Sequence, residues 1–122
     1  IAVALGEALS DDYKQYCKEI ISNRKTIEDI LLKNKVDIIT GGSDNHLLLI
    51  NTGHARGKLV ADDLERKGII VNANSIPFDT STPFKPSGIR IGTPSITTQK
   101  LPTEKIEWIS EEIVKSINSS DY

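Results

Sequence analysis

Methionine is absent from the 122 residues, including the first position, and the expectation that follows is a piece excised or proteolysed from a longer protein. Cys17 is the single cysteine, so no intramolecular disulfide is available. Its place in an apolar helical pattern makes it a small core residue rather than a nucleophile. With only His46 and His54, and with neither a C-x-x-C nor a paired-histidine helix, the chain has no zinc constellation. No apolar run approaches the ~20 residues that a membrane-spanning helix needs, and no signal-peptide pattern opens the chain. Charge of one sign is also lacking. The net charge of −2 and pI near 5.7, with Lys and Arg spread along the chain, give no field for nucleic acid or an anionic membrane. Neither partner is expected, and a cytoplasmic setting is.

What is present is ordinary for one globular domain: 38% hydrophobic and 26% charged residues, without repeats or low-complexity segments. Residues 1–9 look like the later turns of an interrupted helix, too short to be stable alone. They are expected to dock on an absent domain, leaving 10–122 as the domain proper. Ser10, Asp11 and Asp12 form a helix start, with a hydroxyl for an orphan N–H and two carboxylates at the positive end of the dipole. A helix over 11–34 follows, its stripe made by Tyr13, Tyr16, Cys17, Ile20, Ile27, Ile30 and Leu31. Residues 36–40 and 46–51 read as strands, separated by Gly41 and Gly42. Asp44, Asn45 and His46 make a polar corner, read as a hydrogen-bonded turn rather than a catalytic base. The sequence GHARGK misses phosphate-loop spacing by one residue and puts Leu59 at the hydroxyl position. It leads instead into a helix over 58–67, with Leu59, Val60 and Leu64 inward and Gly68 as its stop. Asp62, Asp63 and Glu65 read as its solvated face, and His54 as a solvated loop residue. Near the C-terminus, Thr97 and Thr98 read as a polar junction, and Pro102 opens a last helix. Ile106, Ile109, Ile113 and Ile117 face its core, Trp108 lies off the stripe, and Glu111 and Lys115 are spaced for an i,i+4 pair. Residues 118–122 are expected to fray.

The most informative stretch is 69–98. Two β-branched runs, 69–71 and 89–91, read as strands joined by a long connection with three prolines, a length usually kept for function. By the period-two rule Gly88, Arg90 and Gly92 share one face, and Ile89 and Ile91 the other. With no side chains beside it, the Arg90 guanidinium can hold a small anion through two parallel hydrogen bonds. The residues fit equally well a strand arginine paired with a surface carboxylate, the glycines marking bulges.

The sequences GEAL, GGSDNHLLLI, VNANSIP and GIRIGTPSITT, spread over nearly the whole chain, together resemble the C-terminal region of serine hydroxymethyltransferase. Ser43 stands where threonine is more typical, and Thr82 where serine is frequent. The resemblance implies an α/β fold: the small C-terminal domain of the aspartate-aminotransferase-like, type I pyridoxal phosphate fold, with a mostly antiparallel sheet packed against helices. It implies an enzyme that interconverts serine plus tetrahydrofolate with glycine plus 5,10-methylenetetrahydrofolate, using pyridoxal 5'-phosphate, as a homodimer. On that resemblance Arg90 holds the amino-acid carboxylate, and Asn74, Thr82, Pro83 and Phe84 form the folate site. No catalytic residue and no metal ligand is implied within these residues. The Schiff-base lysine belongs to the absent N-terminal part, so the piece alone is expected to be inactive. Two alternatives stay open: the small domain of another type I pyridoxal phosphate enzyme, an aldolase or aminotransferase, and a stand-alone anion-binding module.

Overall fold

Helix α1 (Ala2–Ala8) of the computed structural model, which describes residues 1–121, buries none of its residues. Of the residues expected to fray, 118–122, Tyr122 lies outside the described residues. Ser10 then starts α2 (Asp11–Lys33) as the sequence implies, its Oγ accepting from Tyr13 N at 3.2 Å with Asp11 and Asp12 in the first turn. Ile27 and Leu31 are fully buried on α2, while Tyr16, Cys17 and Ile20 are half-buried and Tyr13 is exposed. Cys17 therefore borders the core instead of filling it.

Strands β1 (Leu47–Asn51), β2 (Asn72–Asn74) and β3 (Gly88–Gly92) form a three-stranded antiparallel sheet in the order β1-β3-β2. Alternation divides its faces. Leu48, Ile50, Ile89 and Ile91 are buried inward, against Val60 and Leu64 of α3 (Gly57–Arg66), Ile27 and Leu31 of α2, and Ile106, Ile113 and Ile117 of α5 (Thr103–Asn118). This is one sheet layer on one helix layer, the α/β arrangement expected for the small domain. Among the described residues, no helix is long and apolar enough to cross a membrane.

Several expectations from the sequence need correction. Residues 36–40 form no strand: only Ile38 bridges to Ile50, and a 3-10 turn over Ile39–Gly41 follows, with Thr40 at φ 65. The strand expected at 69–71 lies three residues later. Ile69 is spent as a core plug at 8% exposure and Ile70 is left 77% exposed, so pairing with β3 begins at Asn72. Leu59 is 42% exposed, because the inward face of α3 follows Val60 and Leu64. Thr97 and Thr98 belong to a short helix, α4 (Pro94–Thr98), tied to α2 by Tyr16 Oη donating to Pro94 O at 3.2 Å and by Asn23 Nδ2 donating to Thr97 Oγ1 at 2.8 Å. Lys115 pairs with Glu112, at 2.7 Å, and not with Glu111. Asp63 is half-buried between α3 and α5: it meets Lys67 at 3.0 Å and accepts from Ser116 Oγ at 2.6 Å.

Gly57 sets the approach of α3 to the sheet. Its N–H donates to Pro86 O at 2.8 Å, and a Cβ there would meet the backbone of Pro86 and Gly88. Only glycine permits that contact.

Candidate functional site

The face of the sheet turned away from the helices carries the candidate site. Arg90 stands opposite Leu49 on one side and Asn72 on the other, and Asn74 stands opposite Gly88, so Arg90 and Asn74 emerge on the same face. Both line an open cleft of about 760 Å³ whose far wall is Glu28, Thr40, Ser43 and Asn45. Arg90 is exposed, and among the described residues no hydrogen bond or ion pair engages its guanidinium. The expected open space beside it exists on one side only. Gly92 is exposed, whereas Gly88 is buried and Ile76 occupies the room its Cβ would take.

The polar corner is the hydrogen-bonded turn expected of its residues. Ser43 Oγ donates to Asn45 Oδ1 at 3.0 Å, and that oxygen also accepts from Leu47 N at 2.8 Å. Holding it from below is a residue the sequence reading passed over. Arg24, 6% exposed, pairs with Glu28 one turn on, and its Nε donates to Asn45 O at 3.1 Å. The signal was available: Arg24 sits on the apolar stripe between Ile20 and Ile27, where an unpaired charge is not tolerated.

Thr82, Pro83 and Phe84 lie on the loop between β2 and β3, all exposed, with Phe84 at 89%; they are not among the residues lining the Arg90 cleft. This loop is organised by Asp79. Its Oδ1 accepts from Ser81 N at 2.8 Å and Ser87 Oγ at 2.7 Å, and its Oδ2 from Ser87 N at 2.9 Å and Ile76 N at 3.3 Å. These donors, the Ser81 N–H foremost, favour the carboxylate and lower its pKa to about 2. His54 reaches the same loop, its Nδ1 3.1 Å from Thr80 Oγ1.

Among the described residues no lysine lines the cleft, and Lys67 is held by Asp63, Glu112 and Ser116 at 3.0, 3.3 and 3.0 Å. The cleft therefore presents the Arg90 guanidinium beside the Asn74 amide. No group of acidic, histidine or cysteine side chains suited to a metal ion occurs among the described residues.

A family model described as serine hydroxymethyltransferase matches residues 1–113. Serine hydroxymethyltransferases from two strains of Leptospira biflexa serovar Patoc are each 42% identical over 114 residues, 92% of this chain and 27% of theirs. The serine hydroxymethyltransferase of Endomicrobium trichonymphae is 38% identical over 122 residues, 98% of this chain and 29% of its own. The chain thus spans less than a third of the length of these relatives. With the GGSDNHLLLI and GIRIGTPSITT segments inside the matched span, the chain belongs to the serine hydroxymethyltransferase family.

Proposed function

We propose that this chain is the C-terminal substrate-binding domain of a serine hydroxymethyltransferase that interconverts serine plus tetrahydrofolate with glycine plus 5,10-methylenetetrahydrofolate. The observation that carries the reading is Arg90: a guanidinium on an open sheet face, without a hydrogen-bond or ion-pair partner among the described residues, sharing a cleft with Asn74. Two parallel hydrogen bonds from Arg90 fix both oxygens of the amino-acid carboxylate, and so set the orientation of the Cα bonds. The Asn74 amide offers both a donor and an acceptor to a heterocycle, and residues 82–84 supply a small wall ending in an aromatic ring.

Pyridoxal phosphate, when bound, supplies the stabilisation of charge at Cα. Its attachment lysine is assigned to the remainder of the enzyme, as the family resemblance implies. The same remainder is expected to cover the open sheet face and to complete a homodimer in the cytoplasm.

The test is a pair of assays. The full-length protein with pyridoxal phosphate forms methylenetetrahydrofolate from serine and tetrahydrofolate, while the 122-residue chain with the same cofactor shows neither internal-imine absorbance nor turnover. Turnover by the chain alone, or none by the full-length protein, contradicts the proposal.

A further inference from the structure

We infer that Asp79 is a positioning residue for the folate site, holding Asn74 and residues 82–84 in one fixed relation. The inference rests on the folate reading of this loop and adds to it the residue that makes the loop a site. The loop leaves β2 at Asn74 and returns to β3 at Gly88, and these two residues are partners in the sheet. Just beyond that pair, one carboxylate oxygen accepts from Ile76 N and Ser87 N, so Asp79 ties the outgoing strand to the returning one. The loop beyond is folded into two turns: Asp79 N donates to Ile76 O at 3.0 Å, and Lys85 N donates to Thr82 O at 2.9 Å. The second turn carries the proposed folate contacts. Asp79 joins the turns through Ser81 N and Ser87 Oγ.

Ser87 carries the tie into the body of the domain. It is 3% exposed, its Oγ accepts from Ala55 N at 3.0 Å, and its carbonyl accepts from both the N–H and the hydroxyl of Thr52. Beside the His54–Thr80 and Gly57–Pro86 contacts, the exposed turns at Phe78 and Phe84 are thus fixed through the Asp79 carboxylate and Ser87 to the connection between β1 and α3, at Thr52 and Ala55.

All four partners of Asp79 donate, so an amide cannot replace it. In Asp79→Asn one oxygen becomes an NH2 facing donors. The amide NH2 is tolerated only at the Oδ1 position, where the Ser87 hydroxyl can rotate to accept, and Ser81 N then loses its acceptor. The turn bearing residues 82–84 is released while Arg90, on the central strand, keeps its place.

The experiment uses the full-length enzyme with pyridoxal phosphate bound, and reads dissociation constants for 5-formyltetrahydrofolate and for serine in the parent, Asp79→Asn, Ser87→Ala and Asn74→Ala. Asp79→Asn is expected to weaken 5-formyltetrahydrofolate about tenfold and serine by less than about twofold, the loss of one charge-assisted tie. Ser87→Ala, which removes a single hydroxyl, gives the same split at about threefold and decides the matter if Asp79→Asn does not fold. Unchanged folate binding in these variants while Asn74→Ala weakens it overturns the positioning role alone. Equal weakening of serine and folate also overturns it, as general destabilisation. Asn74→Ala without effect overturns the folate reading of the loop, and this inference with it.

Discussion

Replacing Gly57 by alanine isolates the contact on which the approach of α3 to the sheet depends. The added Cβ would lie 2.7 Å from Pro86 O and 3.0 Å from Gly88 N, with Gly88 O nearer still. All three are backbone atoms, so no side chain can swing aside; α3 must retreat or the start of β3 must move. Overpacking of this kind costs about 1–3 kcal/mol, and separation of the Gly57 N–H from Pro86 O adds about 1 kcal/mol. The helix preference for alanine over glycine returns less than ~1 kcal/mol, because Gly57 is the first residue of α3. The net expectation is a loss of about 2–3 kcal/mol, a large share of the ~5–15 kcal/mol that a domain of this kind possesses. Urea unfolding followed by circular dichroism reads this as a lower midpoint at unchanged slope. Gly6→Ala is the control, since its Cβ meets nothing within 4 Å, and it should unfold at or above the parent midpoint. A Gly57→Ala chain as stable as the parent would refute the packing argument.

Arg24→Met leaves Glu28 without its partner; because the Glu28 side chain is 14% exposed, the cost should fall near the lower end of the ~3–5 kcal/mol typical of broken buried pairs. Adding Glu28→Gln should recover most of it, and a urea midpoint for Arg24→Met equal to the parent's would contradict the buried-pair account. The Asp63 carboxylate is held below its ordinary 3.8 chiefly by the Ser116 hydroxyl and then by Lys67. Its stabilisation is therefore fully present above 3.8 and is lost as pH falls through the folded-state value. Asp63→Asn should flatten the acid limb of stability below pH 4, read as thermal midpoints against pH, and an unchanged limb would count against that role.

The long helices were legible because their apolar stripes run through several turns, and β1 and β3 because their alternating residues have one buried face. The failures share a cause, which is that neighbours decided the outcome. Ile69 and Ile70 have better strand propensity than Asn72 and Asn74, yet the asparagines pair, because Ile69 is taken into the core and β3 offers its edge only at Arg90 to Gly88. Residues 36–40 alternate like a strand, but one bridge to Ile50 is followed by Thr40 in a left-handed conformation, which turns the chain into the cleft wall. Arg90 was legible as an exposed arginine on one face of a strand, and Asn74 falls beside it by register. The spacing of Arg24 and Glu28 is that of any helical i,i+4 charge pair, exposed or buried, and only the place of Arg24 on the apolar stripe marks this one as buried. The Asp79 clasp joins residues up to eight apart through backbone donors, which no side-chain pattern announces.

The most direct test of the account is Arg90→Lys in the full-length enzyme, read as the serine dissociation constant beside a thermal melt. Lysine keeps the charge and loses the two-pronged geometry. Hydrogen bonds to a charged group contribute about 1.5–3 kcal/mol each, so losing one should weaken serine about ten- to a hundredfold. The melt should not move, because Ile89 and Ile91 hold β3 from the opposite face at 0% and 7% exposure. Weak serine binding with a normal melt is the predicted result, and near-normal binding with a normal melt would contradict the carboxylate role and return Arg90 to an ordinary strand arginine.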